Sequence, residues 1–80
     1  MVITTPDRAR ELARDPRVRI ELVASGQART ELAYMPAAPI AAARRALDAA
    51  GLGIADLAAI KSHNPFAVND ILFARETGAD

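Results

Sequence analysis

The sequence of 80 residues contains no cysteine and no tryptophan, and it has two phenylalanines, one tyrosine and a single histidine. Without cysteine the chain has no disulfide, no thiolate metal ligand and no thiol nucleophile of its own. One histidine cannot build a zinc site without carboxylates, so we expect no metal site. Apolar residues make up 51% of the chain, too many for a disordered segment, and the scarcity of aromatic ones favours helices packed on a thin sheet.

Net charge is also absent, because ten basic and ten acidic residues cancel. Non-specific binding of nucleic acids needs an excess of positive charge, so we expect no nucleic-acid partner. The first ten residues, MVITTPDRAR, include no apolar stretch of signal-peptide length, and no other part of the chain approaches a membrane span. We therefore expect a cytoplasmic location.

Three stretches carry the signals of helices. Thr5 and Asn64 are residues that can cap a helix N-terminus, and each stands directly before a proline. The longest stretch is nearly all alanine and ends at Gly51, while Gly78 ends the last one. The sequence predicts helices over residues 6–13, 37–50 and 65–77.

Two further stretches are typical of strands. Residues 18–24 alternate between an apolar face and a face that is polar except for Val23, the pattern of a strand with one buried face. Residues 57–62 form a short apolar run that is broken by Lys61 near its end. Strands that alternate with helices predict a layered α/β fold. No strand follows the last predicted helix, so we expect the 80 residues to form one incomplete domain.

His63 directly follows the second predicted strand and directly precedes a helix start. In open α/β sheets, ligands bind at the carboxyl ends of strands, near helix N-termini that offer free N–H groups and the positive end of a dipole. The local pattern leaves two interpretations open. Either His63 belongs to a ligand site, or it ends a strand and bonds a loop carbonyl.

Four short motifs occur at a spacing that resembles one protein family. Between Met35 and Ala67 the chain carries, in order, MPAAP, ALDAAGL, ADL and HNPFA. The C-terminal half of thiolases begins with a Met-Gly-x-Gly-Pro turn, an alanine-rich helix that ends in Ala-Gly, an Asp-[Ile/Leu] turn and a strand that ends in Asn-Glu-Ala-Phe-Ala. The offsets agree without a gap. Residues 1–80 therefore resemble a fragment of a thiolase-like C-terminal domain, which implies a partial thiolase-like fold.

The last motif departs from the common thiolase pattern. His63 stands where that pattern has Asn, which is similar to the His-Asp-Cys-Phe motif of sterol-carrier-protein-type thiolases and to the His-Gly-Thr motif of ketoacyl synthases. Phe66 favours the thiolases over the synthases. Two alternatives stay open: a ketoacyl-synthase relative that uses a carrier-protein thioester, and a non-catalytic α/β interaction module.

The resemblance implies an acyltransferase of lipid metabolism that acts on acyl-CoA thioesters. His63 would donate to the thioester oxygen, where negative charge gathers as an enolate forms. Met35 would line the pantetheine channel, and Phe66 would wall the acyl pocket. For both of these, plain core packing is the alternative. The coenzyme A thioester is a substrate, and no cofactor is implied.

These 80 residues lack part of the chemistry that the family needs. The nucleophilic cysteine, the Gly-His-Pro segment and the Cys-x-Gly-Gly segment of thiolases are all absent. We therefore expect the isolated chain to be inactive. The resemblance implies that its partner is the remainder of a longer thiolase chain, called the parent protein below, and that the parent is a homo-oligomer.

Overall fold

The computed structural model describes residues 1–79, and the regular structure in this range is helical throughout. It comprises the α-helices α1 (Pro6–Leu12), α2 (Ala38–Ala50) and α3 (Ala67–Thr77). Single 3₁₀ turns lie at Met35–Ala37, directly before α2, and at Ile54–Asp56, between α2 and α3. The three helices predicted from the sequence are confirmed, with boundaries that differ by no more than two residues.

The predicted α/β fold is wrong, because residues 1–79 contain no strand. Residues 18–24 and 57–62 have the composition of strands, but a strand forms only when a neighbour takes up its backbone hydrogen bonds. The backbone bonds made here are local: Val18 N–H donates to the Asp15 carbonyl, and Leu57 N–H donates to that of Ile54. The face predicted to be buried is open, and Ile20 is 89% exposed.

The short helix α1 lies on the surface and has no buried residue. Thr5 takes the predicted N-cap position, but its side chain makes no capping hydrogen bond. Two ion pairs, each between residues one helical turn apart, join Arg8 to Glu11 and Arg10 to Asp7. Exposed helical pairs of this kind contribute about 0.2–0.5 kcal/mol each. Local pairs rather than packing therefore stabilise this helix.

A turn at Asp15 follows α1 and redirects the chain. The Asp15 carboxylate accepts hydrogen bonds from Nε and Nη2 of Arg17, at 2.9 and 2.8 Å, and from the Arg17 backbone N–H at 3.0 Å. The side-chain bond from Arg17 is the main reason that the pKa of Asp15 is lowered, and the same bond raises the pKa of Arg17. Pro16 between them fixes its own φ and has no N–H, which suits a turn rather than a continued helix.

Glycine ends both of the longer helices, as predicted. Gly51 has φ 69° and Gly78 has φ 73°, the left-handed region that a side chain disfavours. At the end of α2, the N–H of Gly51 donates to the Asp48 carbonyl over 3.1 Å and that of Leu52 donates to the Leu47 carbonyl over 3.0 Å. These bonds satisfy carbonyls that the helix leaves without partners.

The start of α3 differs from the prediction. Asn64 does not cap this helix; the N-cap position is held by Phe66, whose backbone is extended at φ −141° and ψ 145°. The physical reason is that the Asn64 side chain has another partner, since its Nδ2 donates to Oδ2 of Asp70 over 2.6 Å. The residues 65–66 therefore belong to the loop, and α3 begins two residues later than predicted.

The helices α2 and α3 pack together with the Met35–Ala37 turn. Ile40 on α2 is the buried apolar residue in the described part of the chain, with 6% of its surface exposed. Arg44 of α2 donates to the Glu76 carbonyl near the end of α3 over 2.7 Å. No helix within residues 1–79 combines the length and the apolar character that crossing a membrane demands.

A second contact holds residues 26–27, which lie between α1 and α2 and have no regular structure, against α2. Gly26 lies so close to this helix that a Cβ at this position would stand 2.1 Å from the Ala42 carbonyl oxygen and 2.9 Å from the Ala46 nitrogen. Next to it, Arg45 Nη1 donates to the Gln27 carbonyl over 2.5 Å. A glycine opposite an alanine face allows two backbones to touch, which explains why this segment lies along α2.

Candidate functional site

An open cleft of about 850 Å³ lies between α2 and α3. One wall is the small-residue face of α2, with Ala42, Ala43 and Ala46, and the segment at Gly26 continues it. The opposite side is formed by the loop before α3 and by the first half of α3 itself. The volume falls within the range of small-molecule pockets, and a largely apolar lining with a few polar groups is typical of them.

His63 lines this cleft from the loop before α3, and its side chain is exposed. Its two neighbours in sequence are both held by Asp70 in the first turn of α3. Ser62 Oγ donates to Oδ1 of Asp70 over 2.8 Å, and Asn64 Nδ2 donates to Oδ2 over 2.6 Å. A single carboxylate thus ties both sides of His63 to the helix, while within residues 1–79 the His63 ring itself makes no hydrogen bond.

The other two predicted site residues occupy different places. Met35 lines the same cleft from the 3₁₀ turn before α2 and is 59% exposed. Phe66 is 63% exposed and lies outside the lining of the cleft. The structure therefore brings His63 and Met35 to one cleft and leaves Phe66 apart from them. Neither Met35 nor Phe66 packs into a core within residues 1–79, because most of the surface of each residue is exposed.

Sequence reasoning missed Asn69, the buried polar residue of the cleft. Asn69 lies in the first turn of α3 and is 9% exposed, and its Oδ1 has no hydrogen-bond partner among the described residues. Phe73 lies one turn further along α3 and lines the same cleft. The spacing of these two residues, i and i+4, places them on one helix face, which is the signal that could have identified the buried side of α3.

The polar side chains that line the loop side of the cleft can donate hydrogen bonds to a ligand. They include His63 and Lys61, whereas Oδ1 of Asn69 on α3 is buried and has no partner among the described residues. Residues 1–79 bring together no cluster of three or more His, Cys, Asp or Glu side chains suited to a metal ion. The arrangement is suited to binding a ligand and to stabilising charge on an oxygen atom of that ligand.

Comparison with known proteins finds a similarity that covers nearly the whole chain. No family model and no solved structure matches the sequence. The chain is 33% identical over 78 residues to an acetyl-CoA acetyltransferase of Syntrophomonas wolfei subsp. wolfei. This match covers 98% of the chain and 19% of the acetyltransferase, so the chain spans about a fifth of the length of that relative. The similarity supports a thiolase-related origin for the chain.

Proposed function

We propose that the chain is a segment of a thiolase-type acyltransferase acting on acyl-CoA thioesters, and that its His63 stabilises the thioester oxygen in the parent protein. The observation that carries this proposal is the similarity to an acetyl-CoA acetyltransferase, which extends over 98% of the chain. The HNPFA motif adds to it, because its spacing from MPAAP resembles that between the Met-Gly-x-Gly-Pro turn and the Asn-Glu-Ala-Phe-Ala motif of thiolases. The same similarity favours coenzyme A thioesters over carrier-protein thioesters as the substrate class.

The proposed role of His63 follows from the chemistry of carbon–carbon bond formation or cleavage next to a thioester. Negative charge gathers on the thioester oxygen as the enolate forms. A donor that is already aimed at this oxygen contributes about 3–4 kcal/mol to the stability of the transition state. Two features of the cleft support His63 as this donor: its ring makes no hydrogen bond within residues 1–79, and Asp70 holds both of its neighbours.

The proposed substrate would contact other parts of the cleft. Met35 would line the passage for the pantetheine arm, which agrees with its position in the same cleft as His63. Phe66 would wall the acyl pocket together with residues outside this chain, because it stands apart from the cleft. The chain contains no cysteine, so the nucleophile would come from the remainder of the parent protein. We propose a homo-oligomeric parent on the resemblance to thiolases alone.

The experiment that tests this proposal measures thiolysis of acetoacetyl-CoA by the parent protein with and without the substitution His63→Ala. A large loss of kcat/KM in a folded variant supports the proposal. His63→Asn is the conservative variant, and Glu31→Ala, an exposed residue outside the cleft, is the control.

A further inference from the structure

Lys61 brings a positive charge to the cleft between α2 and α3. It is the one lysine or arginine among the described residues that line this cleft. Within residues 1–79 its ammonium group forms neither an ion pair nor a hydrogen bond. An ammonium group carries three N–H donors, so all three are available to a ligand in the cleft.

The acidic residue of the cleft does not supply a partner for this charge. Asp70 is the one aspartate or glutamate among the described lining residues. One of its oxygens accepts from Ser62 Oγ over 2.8 Å, and the other accepts from Asn64 Nδ2 over 2.6 Å. The carboxylate is therefore engaged with the two residues that flank His63. A counter-charge for Lys61 can instead come from a ligand.

The position of Lys61 in the chain indicates which part of a ligand it can meet. Lys61 and His63 are two residues apart in the loop before α3, and both line the cleft. In the proposed function, His63 lies at the thioester oxygen. The phosphate groups of coenzyme A are separated from the thioester by the whole pantetheine arm, whereas the acyl chain begins at the thioester. An anionic group beside Lys61 is therefore expected on the acyl chain.

The surroundings of Lys61 favour a contact with such a group. The opposite wall of the cleft is apolar and includes Ala42, Ala43 and Ala46. Opposite charges attract more strongly where apolar groups exclude water. Lys61 is itself exposed, so its ammonium group keeps part of its hydration and loses little on binding an anion. Its long, flexible stem also lets the charge follow an acyl chain past His63.

We infer that the cleft selects acyl-CoA thioesters whose acyl chain carries a carboxylate, and that Lys61 is the specificity-determining residue that binds this carboxylate. The inference rests on the proposed function for the coenzyme A thioester itself. It goes further by naming the subclass of substrate. The role of Lys61 in binding the acyl chain is separate from the role of His63 at the thioester oxygen.

The test measures binding of two coenzyme A thioethers to the parent protein by calorimetry. One probe is hexyl-CoA, and the other carries a carboxylate in place of the terminal methyl group of the hexyl chain. A thioether cannot transfer an acyl group, so the measurement does not depend on turnover. We expect the carboxylated probe to bind roughly tenfold more tightly, as one hydrogen bond between charged groups predicts. Equal or weaker binding of this probe to the unsubstituted protein would overturn the inference, and this comparison needs no folded variant.

Three variants assign the preference to Lys61. Lys61→Met removes the charge at similar length and should abolish the preference for the carboxylated probe, whereas Lys61→Arg should retain most of it. Arg29→Met, at an exposed arginine outside the lining of the cleft, is the matched control and should leave the preference unchanged. If Lys61 met the phosphates of coenzyme A instead, Lys61→Met would weaken both probes equally. A preference that persists in a folded Lys61→Met protein therefore refutes the assignment.

Two further outcomes separate this inference from the proposed function. If His63→Ala leaves thiolysis intact while the carboxylated probe binds more tightly than hexyl-CoA, the proposed role of His63 fails and the assignment of Lys61 stands. If thiolysis depends on His63 but the two probes bind equally, the assignment of Lys61 fails alone.

Discussion

The side-chain amide of Asn64 donates to Oδ2 of Asp70 over 2.6 Å, on one side of His63. Ser62 Oγ donates to the other oxygen of the same carboxylate over 2.8 Å, on the opposite side of His63. The loop that carries His63 is therefore attached to the first turn of α3 at two points that flank it. If His63 acts on a substrate, Asp70 is the residue that positions it.

Removing this attachment should affect catalysis more than folding. In the parent protein we expect Asp70→Ala to lower kcat by about 10- to 100-fold with little change in KM, because small displacements of a catalytic group have effects of this size. Asp70→Asn keeps one acceptor oxygen and should recover part of the loss. Asp48→Ala, an exposed aspartate on α2, serves as the control and should leave kcat unchanged. A purely structural Asp70 predicts instead a lower melting temperature with normal kcat in the folded fraction.

The contact between Gly26 and α2 predicts that a single methyl group added at Gly26 lowers the stability of the protein. Gly26→Ala would place a Cβ 2.1 Å from the Ala42 carbonyl oxygen, so one backbone must move. We expect a loss of about 1–3 kcal/mol in the free energy of unfolding, the usual range for overpacking. Gly53→Ala is a matched control, since its Cβ would meet only the Asp56 carboxylate at 3.5 Å. Equal denaturant midpoints for the two variants would show that the contact contributes nothing.

Ala33 has φ 68°, the left-handed region in which a side chain is strained. We expect Ala33→Gly to stabilise the protein by up to about 1 kcal/mol. The reason is that the strain energy removed from the folded state is larger than the conformational entropy that glycine adds to the unfolded chain. At Ala59, which is exposed and has no positive φ, the same change should be neutral or destabilising. Thermal melting of the two variants checks this. A lower melting temperature for the Ala33→Gly protein would show that the backbone at Ala33 is not strained.

The turn at Asp15 predicts in which direction the pKa of the Asp15 carboxyl changes when Arg17 is replaced. Hydrogen bonds from Arg17 lower the pKa of the Asp15 carboxyl below its unfolded value. A lowered pKa contributes stability that is present above the unfolded pKa and is lost as the pH falls through the folded pKa. Carbon-13 NMR of the carboxyl should therefore show an upward shift of this pKa in Arg17→Ala. Arg14→Ala, next to the turn and without a bond to Asp15, should change it little. An unchanged pKa in Arg17→Ala would mean that the pair does not form in solution.

Local signals in the sequence predicted the helices, because the features that start and stop a helix lie within it or beside it. Pro6, Gly51 and Gly78 act through their own backbone conformations, and the structure has them where the pattern indicated. Strands depend on partners that are distant in sequence, and the alternation over residues 18–24 says nothing about whether such a partner is present.

The same distinction applies to the site. That His63 precedes a helix could be inferred from neighbouring residues, but its predicted place at the end of a strand is wrong, because residues 1–79 contain no strand. The burial of Asn69 could not be inferred, because it depends on how α3 rotates against α2. The neighbouring apolar residues Val68 and Ile71 are both exposed. Nor did the motif around Phe66 reveal that this side chain stands outside the cleft.

The central claim is that His63 donates to the thioester oxygen, and the kinetics of acetoacetyl-CoA thiolysis by the parent protein test it most directly. We predict that His63→Ala lowers kcat/KM by roughly 10²–10³ without a large change in melting temperature, the effect of losing one oxyanion donor. His63→Asn should recover part of the rate, because an amide can donate or hold a water. Glu31→Ala, an exposed residue outside the cleft, should leave the rate unchanged. Full activity in a folded His63→Ala protein would contradict the claim.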